Sequence, residues 1–315
     1  MKITCTLCGS ATTAVLETIA GRKIESAYAE RLKIVVQAPP ESIEYRLCGT
    51  CDLRFYWPQY VGDASFYEHL QKLPGYYMDE KGEYAIANRH IPRRGDASPL
   101  RILEIGAGRG QFRRYVPGDA YVGLEFNPGG IAAAARDGID LRCEYIEQHA
   151  QSNAESYDVV CSFQVLEHVP NPQTFIESAL KCLKPDGTLV LSVPAEDSFL
   201  AGSIWDLLNM PPHHQTRWSD AALTQLSVQF HMEPIALVHD RLAPGDVPSY
   251  ANVVAQIGLA KRRGMKLMHL DARVNGFWFR RRVKQVTRVV GAAVQEGFLR
   301  PRGHTVVSVF RKKSP

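Results

Sequence analysis

The run LRILEIGAGRG, Leu100 to Gly110, decides how the rest of the chain is read. RILEI (101 to 105) is a short apolar stretch of strand character. The glycines that follow, Gly106, Gly108 and Gly110 with Ala107 among them, mark a turn that a ligand can approach closely, because glycine has no side chain to hold it away. The spacing is G-x-G-x-G, and Gln111 stands where a dinucleotide fingerprint places its last glycine. Glu104 lies two residues before the turn. A carboxylate there repels a pyrophosphate and attracts a ligand with ammonium and sulfonium groups. Glu125 closes the run YVGLE (121 to 125), where an acidic side chain accepts hydrogen bonds from both hydroxyls of a ribose.

Outward from this turn, β-like runs alternate with helical ones. IDLRC (139 to 143), YDVVCSF (157 to 163) and TLVLSVP (188 to 194) read as strands. AAAAR (132 to 136) and PQTFIESALKCL (172 to 183) read as helices between them. The alternation predicts an α/β fold, a parallel sheet covered by helices on both faces, whose ligands lie beyond the carboxyl ends of the strands. A helix over 219–230, a strand IALVHD (235 to 240) and a terminal strand HTVVSVFRKK (304 to 313) follow. The polar joint RRGDASP (93 to 99) separates this region from what precedes it. The 315 residues are 45% hydrophobic, enough for a sizeable core. The N-terminus lacks a secretory layout and no apolar run reaches membrane-spanning length, so the expectation is a cytoplasmic protein.

EIGAGRG, LEFNP, YDVVCSFQVLEHVPNP and LKPDGTLVLSVP, in this order and at these spacings, resemble the class I S-adenosylmethionine-dependent methyltransferases over about Leu100 to Asp240. Asp186 replaces a common glycine. The resemblance implies a Rossmann-like doubly wound sheet, mostly parallel with an antiparallel last strand, with S-adenosyl-L-methionine as the methyl donor. It implies that the Glu104 to Gly110 turn cradles the methionine end and that Glu125 holds the ribose. Phe126, Tyr145 and Ile146 would flank the adenine, and Phe163 and Gln164 would meet the amino acid.

Transfer of a methyl group to a hydroxyl or carbon needs alignment and often a base, and histidine is the side chain poised near neutral pH. His168 in LEHV is one candidate, with a structural role as its alternative. His213 and His214 in NMPPHHQTRW are more distinctive candidates for catalysis and for substrate contact, with Trp218 as a further substrate contact and an anchor for their loop; the alternative for the histidines is an exposed pair. Tyr76 and Tyr77, in an aromatic helical segment with Tyr67 and Tyr84, are candidates for a cap over a small-molecule acceptor. An oxygen acceptor is favoured, then carbon.

Seven cysteines divide into two C-x-x-C pairs, Cys5/Cys8 and Cys48/Cys51, and three singles, Cys143, Cys161 and Cys182, which read as small core residues. Four thiolates at this spacing suit a structural, tetrahedral Zn²⁺ with no open coordination position. The organisation expected is a zinc-ribbon-like domain at 1–60, a helical cap and linker at 61–95, and the methyltransferase domain at 96–315 with a basic helical insertion at about 246–302. It is similar to bacterial small-molecule and sugar methyltransferases with an N-terminal zinc-binding domain, some of which act on nucleotide-linked deoxysugars.

The charge is uneven. Residues 258–302 hold twelve Lys/Arg against Asp271 and Glu296, a net +10, which leaves −6 for the remainder under an overall +4. If helical, GFWFRRRVKQVTRVVGAAV (276 to 294) offers apolar and cationic faces to an anionic membrane, a phosphate-bearing substrate, RNA or a second subunit, or is the solvated face of a lid. The first ninety residues lack a basic-aromatic surface, which disfavours nucleic acid. A phosphorylated or nucleotide-linked acceptor explains the charge with fewer assumptions. The competing readings are an RNA-modifying methyltransferase and a zinc-stabilised adaptor that binds the cofactor without turnover.

Overall fold

A computed structural model describes residues 3–73, 81–92 and 99–314. Its N-terminal part holds β1 (Thr13–Ala20), α1 (Gly21–Leu32), β2 (Ser42–Cys48), β3 (Arg54–Trp57), α2 (Ala64–Leu70) and α3 (Gly82–His90). The central part runs β4 (Arg101–Ile105), β5 (Ala120–Leu124), α4 (Pro128–Arg136), β6 (Leu141–Arg142), α5 (Ile146–Ser152), β7 (Tyr157–Phe163), α6 (Pro172–Cys182) and β8 (Leu183–Pro194). β9 (Thr216–Arg217), α7 (Asp220–Gln229), β10 (Met232–Arg241), α8 (Val247–Arg262), α9 (Phe277–Gln295) and β11 (Arg302–Lys312) complete it.

The larger sheet has seven strands in the order β10-β11-β8-β7-β4-β5-β6. From β6 to β8 all pairings are parallel, whereas β11 runs antiparallel to both β8 and β10. The expected α/β architecture, mostly parallel with an antiparallel last strand, is the observed one. Every residue of β7 is buried, as a strand covered on both faces requires. β4, first of this sheet in sequence, lies inside it, with β5 on one side and β7 on the other. The chain therefore leaves β4 in one direction and later returns on the other side, and loops diverge at that switch point.

The helices over this sheet start where the sequence supplies caps. Asn127 and Asn171 each precede a proline and accept from a backbone N–H, Gly129 N at 2.9 Å and Thr174 N at 3.2 Å; Ser219 does the same for Ala222 N at 3.1 Å. Oxygen at the N-cap with proline at the first helical position satisfies donors the helix leaves open. The strand expected over 139–143 shrinks to the two residues of β6 at the sheet edge, and Cys143 beyond it is exposed, whereas Cys161 and Cys182 are buried as expected.

The first sixty residues, read as strands and turns, contain a twelve-residue helix as well. α1 is polar overall, yet Ile24, Ala27 and Tyr28 fall on one face and are buried. The smaller sheet has the order β1-β2-β3-β9, so its fourth strand comes from Thr216–Arg217, far along the chain. One apolar cluster joins the two sheets, with Cys48, Leu53 and Phe55 in it alongside Leu103, Val160, Leu189 and Trp218. In the insertion, α8 and α9 lie against each other. α9 buries Phe279 and Val283 and exposes Arg280, Arg281, Arg282, Lys284 and Arg288.

A buried ionic cluster joins the sheets. Arg217 of β9 meets Glu196 at 2.7 Å, and Glu196 also faces Arg54 at 3.5 Å and accepts from the Tyr45 hydroxyl at 3.2 Å. Removing one partner of a buried pair strands the other charge, at a cost of roughly 3–5 kcal/mol. Arg54 and Tyr45 still reach Glu196 in Arg217→Ala, so we expect about 3 kcal/mol, the lower end of that range. A fall in the urea midpoint at unchanged slope reads it; a midpoint equal to that of the parent protein disproves the clamp.

Candidate active site and metal-binding cysteines

The carboxyl ends of β4, β5 and β7 open onto a cleft of about 2180 Å³, bounded by described residues. Pockets for one small ligand span roughly 300–1,000 Å³. This space therefore holds two ligands side by side.

One wall is the glycine turn. Gly106, Gly108 and Gly110 have φ of 73°, 60° and 74°, in the left-handed region. A Cβ on Gly106 would stand 2.3 Å from Cγ2 of Val165, so this position admits no side chain. The N–H groups of Gly106 and Ala107 both donate to Leu124 O, at 2.8 and 2.9 Å. The Glu125 carboxylate accepts from Gly108 N at 2.7 Å and from Phe126 N and Asn127 N, each at 2.8 Å. Glu125 thus ties the turn after β4 to the end of β5 while lining the cleft.

Two residues of the turn lie elsewhere than expected. Gly110 packs under Ile139, away from the cleft wall. Glu104 is fully buried beneath the turn, where the Tyr121 hydroxyl donates to one oxygen and the other has no hydrogen-bond partner. Burial pushes its carboxyl up to about 8, with Tyr121 opposing.

Phe126, Tyr145 and Ile146 stand together along the cleft. The rings of Phe126 and Tyr145 are 4.1 Å apart, too close to admit a third ring between them, so another ring could stack on them only from outside. Phe163, also on the cleft, is set edge-to-face on Tyr84 at 4.9 Å. Gln164 follows β7 at φ 58°, its N–H donating to Ser192 O at 2.9 Å and its amide to Ser192 Oγ at 3.1 Å. A non-glycine residue held in this conformation at a strand end points to a positional constraint.

The opposite wall carries the three expected histidines. His168, His213 and His214 converge, with ring centroids 4.3, 4.7 and 4.8 Å apart. The PPHH segment is buried: His213 is 5% and His214 7% exposed, against the alternative of an exposed pair. His168 Nδ1 donates to His213 O at 2.9 Å, His213 Nδ1 to Leu208 O at 2.8 Å and His214 Nδ1 to Asn209 Oδ1 at 3.0 Å. A ring nitrogen facing a carbonyl oxygen must carry the proton, which fixes the tautomer of all three. Desolvation draws His168 down to about 4 and holds His213 and His214 well below their ordinary value, so the rings are neutral.

Glu167 and Lys81, which the sequence did not mark, and Tyr67 of the expected aromatic cap complete this wall. Glu167, 1% exposed, lies under the rings with one carboxylate oxygen lacking a hydrogen-bond partner, and burial pushes it up to about 8. Lys81, at the start of α3, is the cation that acts on both Glu167 and His168. Tyr67 lines the cleft 6.1 Å from the His213 ring. Adjacency in LEH was the available signal for Glu167, since its burial depends on a distant loop. Trp218, expected as a substrate contact, is instead fully buried, its indole donating to Thr216 Oγ1 at 3.0 Å. Tyr76 and Tyr77 lie outside the described residues.

The first sixty residues hold the histidine loop in place. Tyr28 donates to Leu207 O, Tyr56 to Asn209 O at 3.4 Å, and Gln215 spans Tyr60 O at 2.8 Å and Pro212 O at 3.1 Å. Gly62 N donates to Pro212 O at 3.1 Å and Gln215 N to Glu167 O at 2.8 Å.

Far from the cleft, the four paired cysteines gather. Cys5 Sγ is 3.6 Å from Cys51 Sγ and Cys8 Sγ 3.6 Å from Cys48 Sγ, and all four sulfurs lie within 4.8 Å of one another. Thiolates about 2.3 Å from a tetrahedral zinc stand about 3.8 Å apart, so the set fits that ion.

Residues 78–234 match the family described as the methyltransferase domain. This chain carries a methyltransferase domain. It reaches from α3 through α7, and the cysteines and α8–α9 lie outside it. Among similar proteins, the ubiquinone biosynthesis O-methyltransferase of Salmonella paratyphi A is 31% identical over 132 residues, 37% of this chain and 54% of that protein. The ubiquinone biosynthesis O-methyltransferase of Aliivibrio fischeri strain MJ11 is 34% identical over 146 residues, 41% of this chain and 62% of that protein. The chain thus spans between half and two thirds of these relatives. The structure of a SAM-dependent methyltransferase from Archaeoglobus fulgidus aligns with 79% of this chain and 100% of its own, at 15% identity and a TM-score of 0.47. No helix among the described residues is long and apolar enough to cross a membrane.

Cys48→Ser removes one of the four thiolates, and we expect purified protein to lose its structural zinc and melt at lower temperature. Elemental analysis with calorimetry checks this; full zinc occupancy in the variant speaks against the four-cysteine site.

Proposed function

We propose that this protein transfers a methyl group from S-adenosylmethionine to an oxygen of a small-molecule acceptor. The observation that carries the reading is that the glycine turn with Glu125 and the three neutral imidazoles form opposite walls of one cleft large enough for both ligands. S-Adenosylmethionine supplies an electrophilic methyl group on sulfur. Under this reading Gly106, Ala107 and Gly108 let its methionine end approach the backbone, and Phe163 and Gln164 border the amino acid. Glu125 receives the ribose hydroxyls, and adenine rests against Phe126, Tyr145 and Ile146. Gly110 shapes the turn from below. Glu104, poorly ionised when buried alone, becomes a counter-charge as a cationic ligand settles over the turn.

The acceptor enters between α2, α3 and the histidine loop, with His168, His213 and His214 at its oxygen. Neutral imidazole lone pairs suit a hydroxyl better than a preformed anion, and the relatives' names support oxygen as the atom methylated. Much of the acceleration comes from holding that oxygen in line with the sulfonium in a cleft that excludes water. Tyr67 borders this side, and Tyr76 and Tyr77 are assigned to the same cap from sequence alone. No residue of α9 is among those lining the cleft, so its charge does not bear on the acceptor held there.

Glu125→Ala removes charged hydrogen bonds to the ribose and the brace on Gly108. At about 1.5–3 kcal/mol this weakens cofactor binding by roughly 10–100-fold. Calorimetric titration with S-adenosylhomocysteine measures it, and an unchanged Kd removes Glu125 from the ribose site. His213→Ala combined with His214→Ala should lower kcat about 100-fold or more while cofactor affinity holds, as loss of a group acting on the acceptor does. Labelled S-adenosylmethionine and a panel of hydroxylated small molecules supply the assay. Absence of any S-adenosylhomocysteine favours the adaptor reading, and transfer to RNA alone favours the RNA-modifying one.

A further inference from the structure

We propose that His168, His213, His214 and Glu167 bind a divalent transition-metal ion at the acceptor end of the cleft. This ion is distinct from the one assigned to the four cysteines. One ring nitrogen from each histidine lies within 4.8 Å of the other two. The Glu167 Oε1 atom is 3.8 Å from His168 Nε2 and 4.0 Å from His214 Nε2. Nitrogen and oxygen donors about 2.0–2.1 Å from zinc stand about 3.4 Å apart, so closure needs each group to move by about an ångström or less.

The surroundings of the rings are those of ligands. Each Nδ1–H is held by an oxygen, from Leu208, Asn209 and His213, and this sets Nε2 as the lone-pair atom. Metal-bound histidines are held in this way, by an oxygen that receives the other ring N–H. Glu167 adds a second, independent indication: the carboxylate is 1% exposed, its Oε1 faces the rings and its Oε2 lacks a hydrogen-bond partner, which is costly unless a cation joins the group. Three imidazoles with one carboxylate suit zinc, iron or cobalt, whereas magnesium and calcium prefer oxygen cages.

All four residues line the cleft, and the His168 side chain keeps 22% of its surface open to it. The four donors fill a tetrahedral sphere as the thiolates do, but here the ion faces the cleft and can expand to take the acceptor oxygen as a fifth ligand. So bound, the acceptor hydroxyl ionises more readily, its proton passing to water. In that state the rings act through the ion and take no proton themselves. This use rests on the methyl-transfer reading; the ion site stands on the four side chains alone.

Cobalt(II) is the probe. The full-length protein, freed of metal under reducing conditions and titrated with Co²⁺, should take up two equivalents. One gives the intense thiolate-to-cobalt charge-transfer band of the cysteine site, and the other only visible d–d bands. Glu167→Gln and the combined change His213→Ala with His214→Ala should each abolish the second equivalent and keep the charge-transfer band, which also reports that the variant is folded. Asn209→Ala, which removes the oxygen holding the His214 ring, should weaken the second site by about 10–100-fold. Uptake of a single, thiolate-bound equivalent by the parent protein overturns the proposal, as does a second equivalent that survives the double histidine change. A protein that binds the second ion yet methylates no acceptor keeps the site and loses the use assigned to it.

Discussion

The central constraint is that β4 is hydrogen-bonded along both edges, in parallel register, to β5 and β7. A strand so held cannot slide by one residue without turning its buried side chains to the wrong face. Its end is therefore a fixed point, and the tight turn from Gly106 to Gly110 is anchored there by Leu124 O and by the Glu125 carboxylate. The ends of three neighbouring strands thereby converge on one cleft. The ligand walls need little rearrangement, which is how a site limits the entropy lost when it binds.

The second wall obeys a different logic. The loop from Leu207 to Arg217 contains only a 3-10 turn (Leu207–Asn209) and a two-residue strand, and owes much of its shape to partners outside itself. Tyr28, Tyr56, Tyr60 and Gly62 accept from it or donate to it from the N-terminal side, and Glu167 receives Gln215 N–H from the other. The carbonyls and amide that fix the imidazole tautomers belong to this same loop. Side chains on loops reach the accuracy of side chains on strands only when their backbone is held in this manner.

What the sequence made legible follows the range of the interactions involved. The parallel sheet and the positions of α4, α6 and α7 were readable because alternation and apolar periodicity act within a few residues, whereas the antiparallel last strand was implied only by the family resemblance. The cysteine cluster was readable from spacing, and the gathering of Gly106, Gly108, Glu125, Tyr145 and Gln164 follows from their being at strand ends. α1 was missed because its buried face is only Ile24, Ala27 and Tyr28 in an otherwise charged segment. The pairing of Thr216–Arg217 with β3 spans some 160 residues and leaves no local mark. The same is true of Glu104 and Trp218, whose burial beneath the site rather than within it depends on Tyr121 and Thr216. Glu167 and Lys81 acquire their importance only when α3 and the histidine loop are brought against the end of β7.

β9 belongs to the smaller sheet by its hydrogen bonds and to the larger domain by its place in the chain. Melting of the cysteine-bearing unit therefore cannot stay local: it withdraws the edge partner of the segment that ends in Thr216 and Arg217, and the imidazoles sit three residues upstream. By linkage, whatever tightens the grip of one end tightens the other by the same free energy. A ligand bound by the four cysteines would thus be coupled to one bound beside the imidazoles. Exchange of the first sixty residues between relatives would succeed only if residues 207–217 travelled with them, so the unit of inheritance here is discontinuous in sequence.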